Sequence, residues 1–360
     1  MMFSILGRYF FRRYAITTFW FFFGVGSIIF LADFSETARR FSDLTGYSVA
    51  GALLLTLLRL PQILLQTIPF IALFGGMTAL ISLNRKYELV VTRAAGISVW
   101  QFMAPFVSGA FLIGLIAVLV INPLSSYGQR EAQRLQDAWR KTDSSQATFL
   151  PWIRQSVDGN DVVIGAKTAL ENGAQLVDVA LFHFDSAGNI LLRQDAATAK
   201  LQNGYWLLND VTETRPGEIP QHHADVQVRT NLKQEYLEER LTQPESVAFY
   251  DISRKIEVAR SYGLPTRSLE TQFHSLASLP FLLVAMTMIA ATVSLRFSRM
   301  NQSRSVILGG ILSGFVLYVV SVLVKAFGSS GVVPPLVAVW IPVIVAMALG
   351  ATILLHQEDG

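Results

Sequence analysis

Apolar residues arrive in long runs along this chain, separated by short polar connections and by one long middle stretch of a different pattern. Tyr14–Ala32, Leu60–Leu83, Ala94–Gln129, Ser275–Leu295, Ser305–Val324 and Val332–Leu355 carry no charged residue. About 20 apolar residues suffice to cross the hydrocarbon core of a bilayer. The pattern therefore predicts a membrane α-helical bundle of six transmembrane helices. Pro61 and Pro69 should bend or loosen the second helix, while Gly75-Gly76 allows close backbone approach. The third run is long enough to project beyond the bilayer.

Between the third and fourth runs the pattern shortens. Asp161–Lys167, Val177–Phe184, Ile190–Asp195, Tyr205–Val211 and Asp225–Asn231 are rich in Val, Leu, Ile and aromatics. Asp158-Gly159-Asn160, Ala187-Gly188-Asn189 and Asn203-Gly204 separate them as turn signals. Strands at this spacing predict a β domain: a sandwich, a jelly roll or an open curved sheet. Asp251–Tyr262 then reads as a helix stopped by Gly263 and Pro265. The expected organisation is helices 1–3 over residues 1–127, with a polar connector at about 83–98, and the β domain over 128–250. A connecting helix follows over 251–268, and helices 4–6 over 269–360.

Composition agrees with a membrane protein. Charged residues are 15% of the chain, hydrophobic residues 52%, and the mean hydropathy is +0.42; a soluble domain carries about 25% charged residues. With no cysteine, disulfides, thiol catalysis and thiolate-bound metals are excluded. The net charge of +3 hides an asymmetry: Gly128–Pro265 holds 15 basic against 19 acidic residues, so the rest is strongly basic. Basic charge at membrane edges points to lipid and topology, not to nucleic acid.

The basic start before the first apolar run also suits a cleaved signal peptide. The run is long, rich in aromatics at Phe19–Phe23, and followed by no small-residue cleavage site, so a retained helix is expected. Arg8, Arg12, Arg13, Arg85, Lys86 and Arg93, with three more in Arg296–Arg304, lie on one face; Arg39, Arg40 and Lys325 lie on the other. The positive-inside bias then puts both termini in the cytosol and the β domain outside it.

Two polar groupings carry candidate chemistry. Ser82–Ser98 is an island between apolar runs, with Arg85, Lys86, Glu88 and Arg93 around Leu89, Val90, Ala94, Ala95 and Ile97. A short helix there would present apolar side chains and Glu88 together, suited to pressing against a partner, or it would serve only as a charged connector. At the other face, Asp33, Arg39, Arg40, Arg59, Arg130, Arg134 and Lys325 form a second set. Its cations suit lipid phosphates, or plain interfacial anchoring.

Gly165-Ala166-Lys167-Thr168 lacks the spacing of a phosphate loop and falls in an expected strand. Of the five histidines, His222-His223 has no helical partner for metal, and His183 sits in an apolar strand. No Ser/His/Asp grouping, zinc motif or carboxylate pair stands out, so no enzyme is expected in this polypeptide.

The residues between Leu60 and Pro105 carry a resemblance. Leu60-Pro61, Ile68-Pro69-Phe70, Glu88-Leu89-Val90-Val91, Arg93-Ala94-Ala95-Gly96-Ile97-Ser98 and Pro105 stand in the order seen in the LptF/LptG family of lipopolysaccharide export permeases. Val333-Pro334-Pro335 and Trp340-Ile341-Pro342 extend the match, and the whole resembles the LptG branch more closely. The resemblance implies a permease subunit of an ABC-type exporter, with a jelly-roll-like (β-taco) periplasmic domain between helices 3 and 4. It also implies an LptF-like permease beside it and an LptB ATPase dimer beneath, which binds ATP and Mg; this chain would hold no cofactor.

Lipopolysaccharide would be taken from the outer leaflet of the inner membrane past helices 1 and 5 and passed toward LptC. Glu88, Leu89, Val90, Arg93, Ala95 and Gly96 would couple to the ATPase. One departure is visible. LptG members often place a lysine in the outer part of the first helix, where this chain has Ile28-Ile29-Phe30, so Arg39 and Arg40 are expected to take its role.

A different class remains open: an envelope scaffold whose β domain binds proteins without moving lipid. Such a scaffold would tolerate Glu88→Ala and fail on deletion of the β domain. A self-sufficient secondary transporter would show inverted repeats and mid-membrane charges, and the sequence shows neither.

Overall fold

The computed structural model describes residues 5–43, 46–142, 152–157, 160–170, 175–185, 189–202, 204–230, 244–261, 266–295 and 304–359. Two compact units emerge, Met1–Ala138 with Pro244–Gly360, and Trp139–Gln243.

The first unit is helical. Its elements are α1 (Ile5–Phe41), α2 (Val49–Arg85), α3 (Glu88–Ala94), α4 (Val99–Ile116) and α5 (Asn122–Thr142), then α6 (Phe249–Ser261), α7 (Arg267–Ser294), α8 (Arg304–Ser330) and α9 (Pro335–Asp359). Among the described residues, six helical stretches are long and apolar enough to cross a membrane, with α4 and α5 together forming one of them.

Helices α1 and α2 each have 37 residues. At 1.5 Å per residue each is about 55 Å long, well beyond the roughly 30 Å hydrocarbon core. The polar stretch after Ala32, expected as a connection, instead continues α1 to Phe41. No proline or glycine breaks it, and Arg39 pairs with Glu36 one turn back at 2.7 Å. The α2 helix opens at Ser48, whose hydroxyl accepts from Gly51 N–H at 3.0 Å, and it runs through Pro61 and Pro69.

The third run begins later than expected. Ala95–Ile97 belong to the turn after α3, and Ser98 caps α4 in a capping box with Gln101, both bonds at 3.3 Å. Between α4 and α5 the helix widens into a π turn at Ala117–Ile121. The start of α6 docks there: Phe249 N–H donates to Asn122 Oδ1 at 2.7 Å, and the Tyr250 hydroxyl donates to the Leu119 carbonyl at 3.2 Å. A widened turn frees carbonyls, and Leu119 shows what uses one. The expected stop for α6 at Gly263 and Pro265 lies outside the described residues.

Small residues set the helix spacing. A Cβ on Gly75 would lie 2.6 Å from Thr18 Oγ1, and one on Gly114 only 2.4 Å from the Pro280 Cα. So α2 meets α1, and α4 meets α7, almost backbone to backbone. In lipid, where no hydrophobic effect drives helices together, such contacts supply the packing that holds a bundle. Tyr14, fully buried beside them, is hydrogen-bonded through its hydroxyl to Thr287 Oγ1 at 3.1 Å.

The second unit is one antiparallel sheet whose strands pair in chain order: β1 (Ile153–Val157), β2 (Asn160–Leu170), β3 (Gln175–Phe184), β4 (Ile190–Gln202), β5 (Tyr205–Thr214) and β6 (Gln221–Arg229). Of the three arrangements left open by sequence, the described strands form the open sheet, as a meander. β1 escaped prediction because Ile153 and Val157 are its only apolar residues. β4 runs past its expected end at Asp195; its continuation, Ala196-Ala197-Thr198-Ala199, has no large apolar residue to mark it as strand. Gln202 pairs directly with Tyr205, and Gly204 takes the φ of +88° that a tight hairpin demands.

Two aspartates in the left-handed region, Asp178 (φ 51°) and Asp210 (φ 58°), interrupt the ladders at one level. Neither inserts a residue, since the register is the same on both sides of each; the left-handed turn instead flips the strand's alternation of faces. Leu176 faces the same interior as Val179 and Leu181, and Trp206 and Leu208 the same interior as Val211.

Candidate functional site

The connector around α3 is built by two turns. Tyr87 enters it in the left-handed region, φ 59°. At its end Gly96 (φ 79°) closes a Schellman motif: Gly96 N–H donates to Arg93 O at 2.9 Å and Ile97 N–H to Thr92 O at 3.3 Å. Gly96 therefore has a backbone reason to be glycine.

The helix does not present its residues as the pattern suggested. Leu89, expected on the outer face, turns inward: it is 2% exposed and belongs to the core cluster that holds Leu83, Val99 and Phe102. Tyr87 and Val91 are about two-thirds exposed and form the apolar outer face with Ala94 and Ala95, while Val90 and Arg93 are half-buried. Thr92 is buried and donates to the Glu88 carbonyl at 2.7 Å. Glu88 forms no ion pair among the described residues; its carboxylate accepts a hydrogen bond from the Tyr9 hydroxyl of α1. A carboxylate so placed retains capacity for a cation from outside the chain.

The second set of residues is divided. Asp33 and Arg59 face each other at 3.4 Å, the aspartate 12% exposed, so these two charges serve each other first. Arg134 pairs with Glu131 at 2.7 Å and Arg130 approaches Asp251 at 3.9 Å. Arg39, beside Glu36, and Arg40, over the Phe41 ring, are exposed. Lys325 lies near the end of α8 but is not exposed as the two arginines are. It is half-buried within the bundle, its Nζ donating to Gln272 Oε1 at 2.8 Å.

That lysine lines a cavity of about 160 Å³ between α2, α7, α8 and α9, which sequence reasoning missed. The signal was present as polar pairs four apart inside apolar runs, Gln62 with Gln66 and Ser321 with Lys325, each pair on one helix face. Two apolar furrows flank α2. One is lined by Ile16, Trp20, Val25 and Ile28 of α1, the other by Phe70 and Phe74 with Leu308, Leu312 and Phe315 of α8.

In the sheet, Gly165 of β2 lies under the Trp152 ring, which a Cβ would strike at 2.4 Å; packing explains the glycine. His183 is hydrogen-bonded to Gln194 Oε1 at 3.0 Å, and His222 lies 3.2 Å from Asp210.

A profile of the lipopolysaccharide export system permease family LptF/LptG matches residues 8–356. The chain belongs to this family. It is similar to the lipopolysaccharide export system permease protein LptG of Escherichia coli K12, 23% identical over 351 residues that cover 94% of this chain and 95% of that one. LptG of Haemophilus influenzae is 22% identical over 324 residues, 87% of this chain and 88% of its own length. The chain is accordingly a multi-pass membrane permease of lipopolysaccharide export, a transport subunit and not a catalyst, that works with other Lpt components and a partner ATPase.

Proposed function

We propose that this chain is the LptG-like half of the membrane part of an ABC-type exporter. It pairs with an LptF-like permease above an LptB dimer that binds ATP and Mg, and passes lipopolysaccharide through its periplasmic sheet toward LptC. The protein lies in a Gram-negative inner membrane with both termini cytosolic. The observation that carries this reading is the uneven covering of the spans: only 11% of the apolar windows of α1 and α8 is buried, against 61% of α2, which runs between their furrows. Two uncovered apolar helices on either side of a covered one suit a surface that a second permease and a multi-chain lipid share. Exposing acyl chains to water costs about 0.8 kcal/mol per CH₂, so a greasy wall is what extraction requires.

The ATPase acts on the α3 connector. Tyr87, Val91 and Ala95 fill its groove, Glu88 meets a basic group, and Val90, Arg93 and Gly96 shape the helix. Arg39 and Arg40, with Arg130 and Arg134, receive lipid phosphates, while Arg59 is held back by Asp33. The test is purification of the tagged protein in gentle detergent from its native membrane, with mass spectrometry of everything retained. An ATP-binding-cassette subunit, a second six-span permease and bound lipopolysaccharide are expected. The protein alone, or with periplasmic proteins only, overturns the reading in favour of a scaffold.

A further inference from the structure

The cavity around Lys325 has no role in the ATPase coupling and phosphate contacts just described. Lys325 lies five residues before the end of α8, and Gln272 five residues after the start of α7. Both thus sit about 8 Å inside the helix ends, at the depth of lipid head groups and glycerol rather than of the bilayer centre. An ionisable side chain inside a spanning helix is costly and is retained where it meets a partner, a pathway or a ligand. The neutral Gln272 oxygen answers one of three ammonium protons; the Glu245 carboxylate on the same wall acts on Lys325 from a distance, but no ion pair within 4 Å forms among the described residues.

Within a mostly apolar lining, further polar side chains face the cavity. Gln62, Gln66, Ser275 and Ser321 converge on the same space, and Glu245 adds an exposed carboxylate on the wall. A cation, several amides and hydroxyls, and one carboxylate together select a group with an anion and hydrogen-bond donors of its own. The surrounding Leu65, Leu279, Val322 and Val343 suit an attached apolar tail.

We infer that this cavity is a binding site for the phosphate-bearing head group of a lipid, with Lys325 on the phosphate and the glutamines and Glu245 on its hydroxyl or amino groups. The site lies within a single chain, apart from the furrows along α1 and α8. The same chemistry is offered by a resident glycerophospholipid and by the phosphorylated sugars of the exported lipid. The second source, and the assignment to the outer leaflet, rest on the permease reading proposed above.

The test places a photo-reactive p-benzoylphenylalanine at position 321 of the full chain, purified with whatever partners it retains. The protein goes into nanodiscs of phosphatidylethanolamine and phosphatidylglycerol, with or without added lipopolysaccharide. After illumination, the mass of the adduct is read. A glycerophospholipid adduct in both discs identifies a resident lipid, and a lipopolysaccharide adduct only where it was added identifies the exported one. Either supports the site. Lys325→Met should lower the yield about tenfold, the loss of a charge-assisted hydrogen bond, and Lys325→Arg should restore it.

No lipid adduct, or a yield equal in wild type and Lys325→Met, overturns the inference. Should Lys325→Met fail to fold, native mass spectrometry of Gln66→Leu, which keeps the cation and removes polar lining, must show loss of the tightly held lipid; retention overturns the site. Export and partner retention are scored in the same preparations. Absence of the adduct from the protein with an intact Lys325, while export and partners are retained, sinks this site alone, whereas absence of partners sinks the permease reading.

Discussion

Helices α7 and α8 follow one another in the chain and have nearly the same mean hydropathy, 2.1 and 2.4, yet 67% of one window and 11% of the other is buried. Hydropathy states that a helix belongs in the bilayer; it does not state whether the helix meets protein or lipid. The difference lies in residue shape. α7 brings Ser278, Pro280, Ala285, Thr287, Ala290 and Ala291 to buried positions, where small side chains let neighbouring backbones approach. α8 turns Leu308, Leu312, Phe315, Val316, Val319 and Leu323 outward, bulky residues that fit acyl chains as well as protein. The covered helix is the frame of the unit, and the uncovered one is the surface on which transport can act.

That contrast is broken most sharply at glycines. Gly114 of α4 lies against Pro280 of α7, whereas a Cβ on Gly309 of α8 meets nothing within 4 Å. Gly114→Leu has to push a pair of touching backbones apart and should cost about 3 kcal/mol or more, the upper range for overpacking, with loss of folded protein in detergent. Gly309→Leu should leave stability equal or raise it by up to about 1 kcal/mol through helix propensity. Equal melting temperatures for the two variants would refute the division into frame and surface.

The same division runs through the α3 connector on a smaller scale. Leu89→Ala should cost about 2–4 kcal/mol in unfolding free energy, the usual loss for a buried leucine. Val91→Ala, two residues on and exposed, should leave the melting temperature within the scatter of surface changes, about 0.5 kcal/mol, while weakening retention of the ATPase. If Leu89→Ala spared the fold and only Leu89→Ala released the ATPase, the connector would have to face the opposite way, with Leu89 outward and Val91 in the core.

The spans, the β domain and the α3 connector were legible in sequence because each has a strong local signal: uncharged runs, Gly-centred turns, and charges between apolar stretches. Three features were not. Leu89 and Val91 look alike in a list of apolar residues, and only packing against Leu83 and Phe102 decides which one is buried. Asp33 and Arg59 are 26 positions apart on different helices, so their pairing depends on how α1 and α2 lie together. The flips at Asp178 and Asp210 were hidden because sequence alternation assumes that each residue advances the strand by one side, and a residue in the left-handed region breaks that rule without changing the register.

The paired and the unpaired charges give the next measurement. A double-mutant cycle of Asp33→Asn and Arg59→Gln should show coupling of about 1–2 kcal/mol, between the values of exposed and fully buried pairs. Coupling below about 0.3 kcal/mol would free Arg59 to join the lipid-facing cations and would erase the distinction drawn among them.

The smallest expected effect on stability falls on the most exposed cations, and this is what makes it informative. Arg39 is tied only to Glu36, three residues away on the same helix, and its side chain is 80% exposed; such pairs contribute about 0.3–0.5 kcal/mol. Arg39→Ala/Arg40→Ala should therefore leave the melting temperature and assembly of the complex almost unchanged. If these arginines meet lipid phosphate, as proposed, the variant should lower lipopolysaccharide-stimulated ATPase activity and export several-fold, more strongly at low salt, where exposed charges are least screened. Lysines at both positions should recover most of the activity, because a phosphate accepts either cation. Unchanged stimulation at normal protein levels would remove Arg39 and Arg40 from the lipid path. A lipid phosphate beside the apolar Ile28-Ile29-Phe30 stretch of α1 would then need its counter-charge from Arg130 and Arg134 on α5, whose present carboxylate partners would have to yield them.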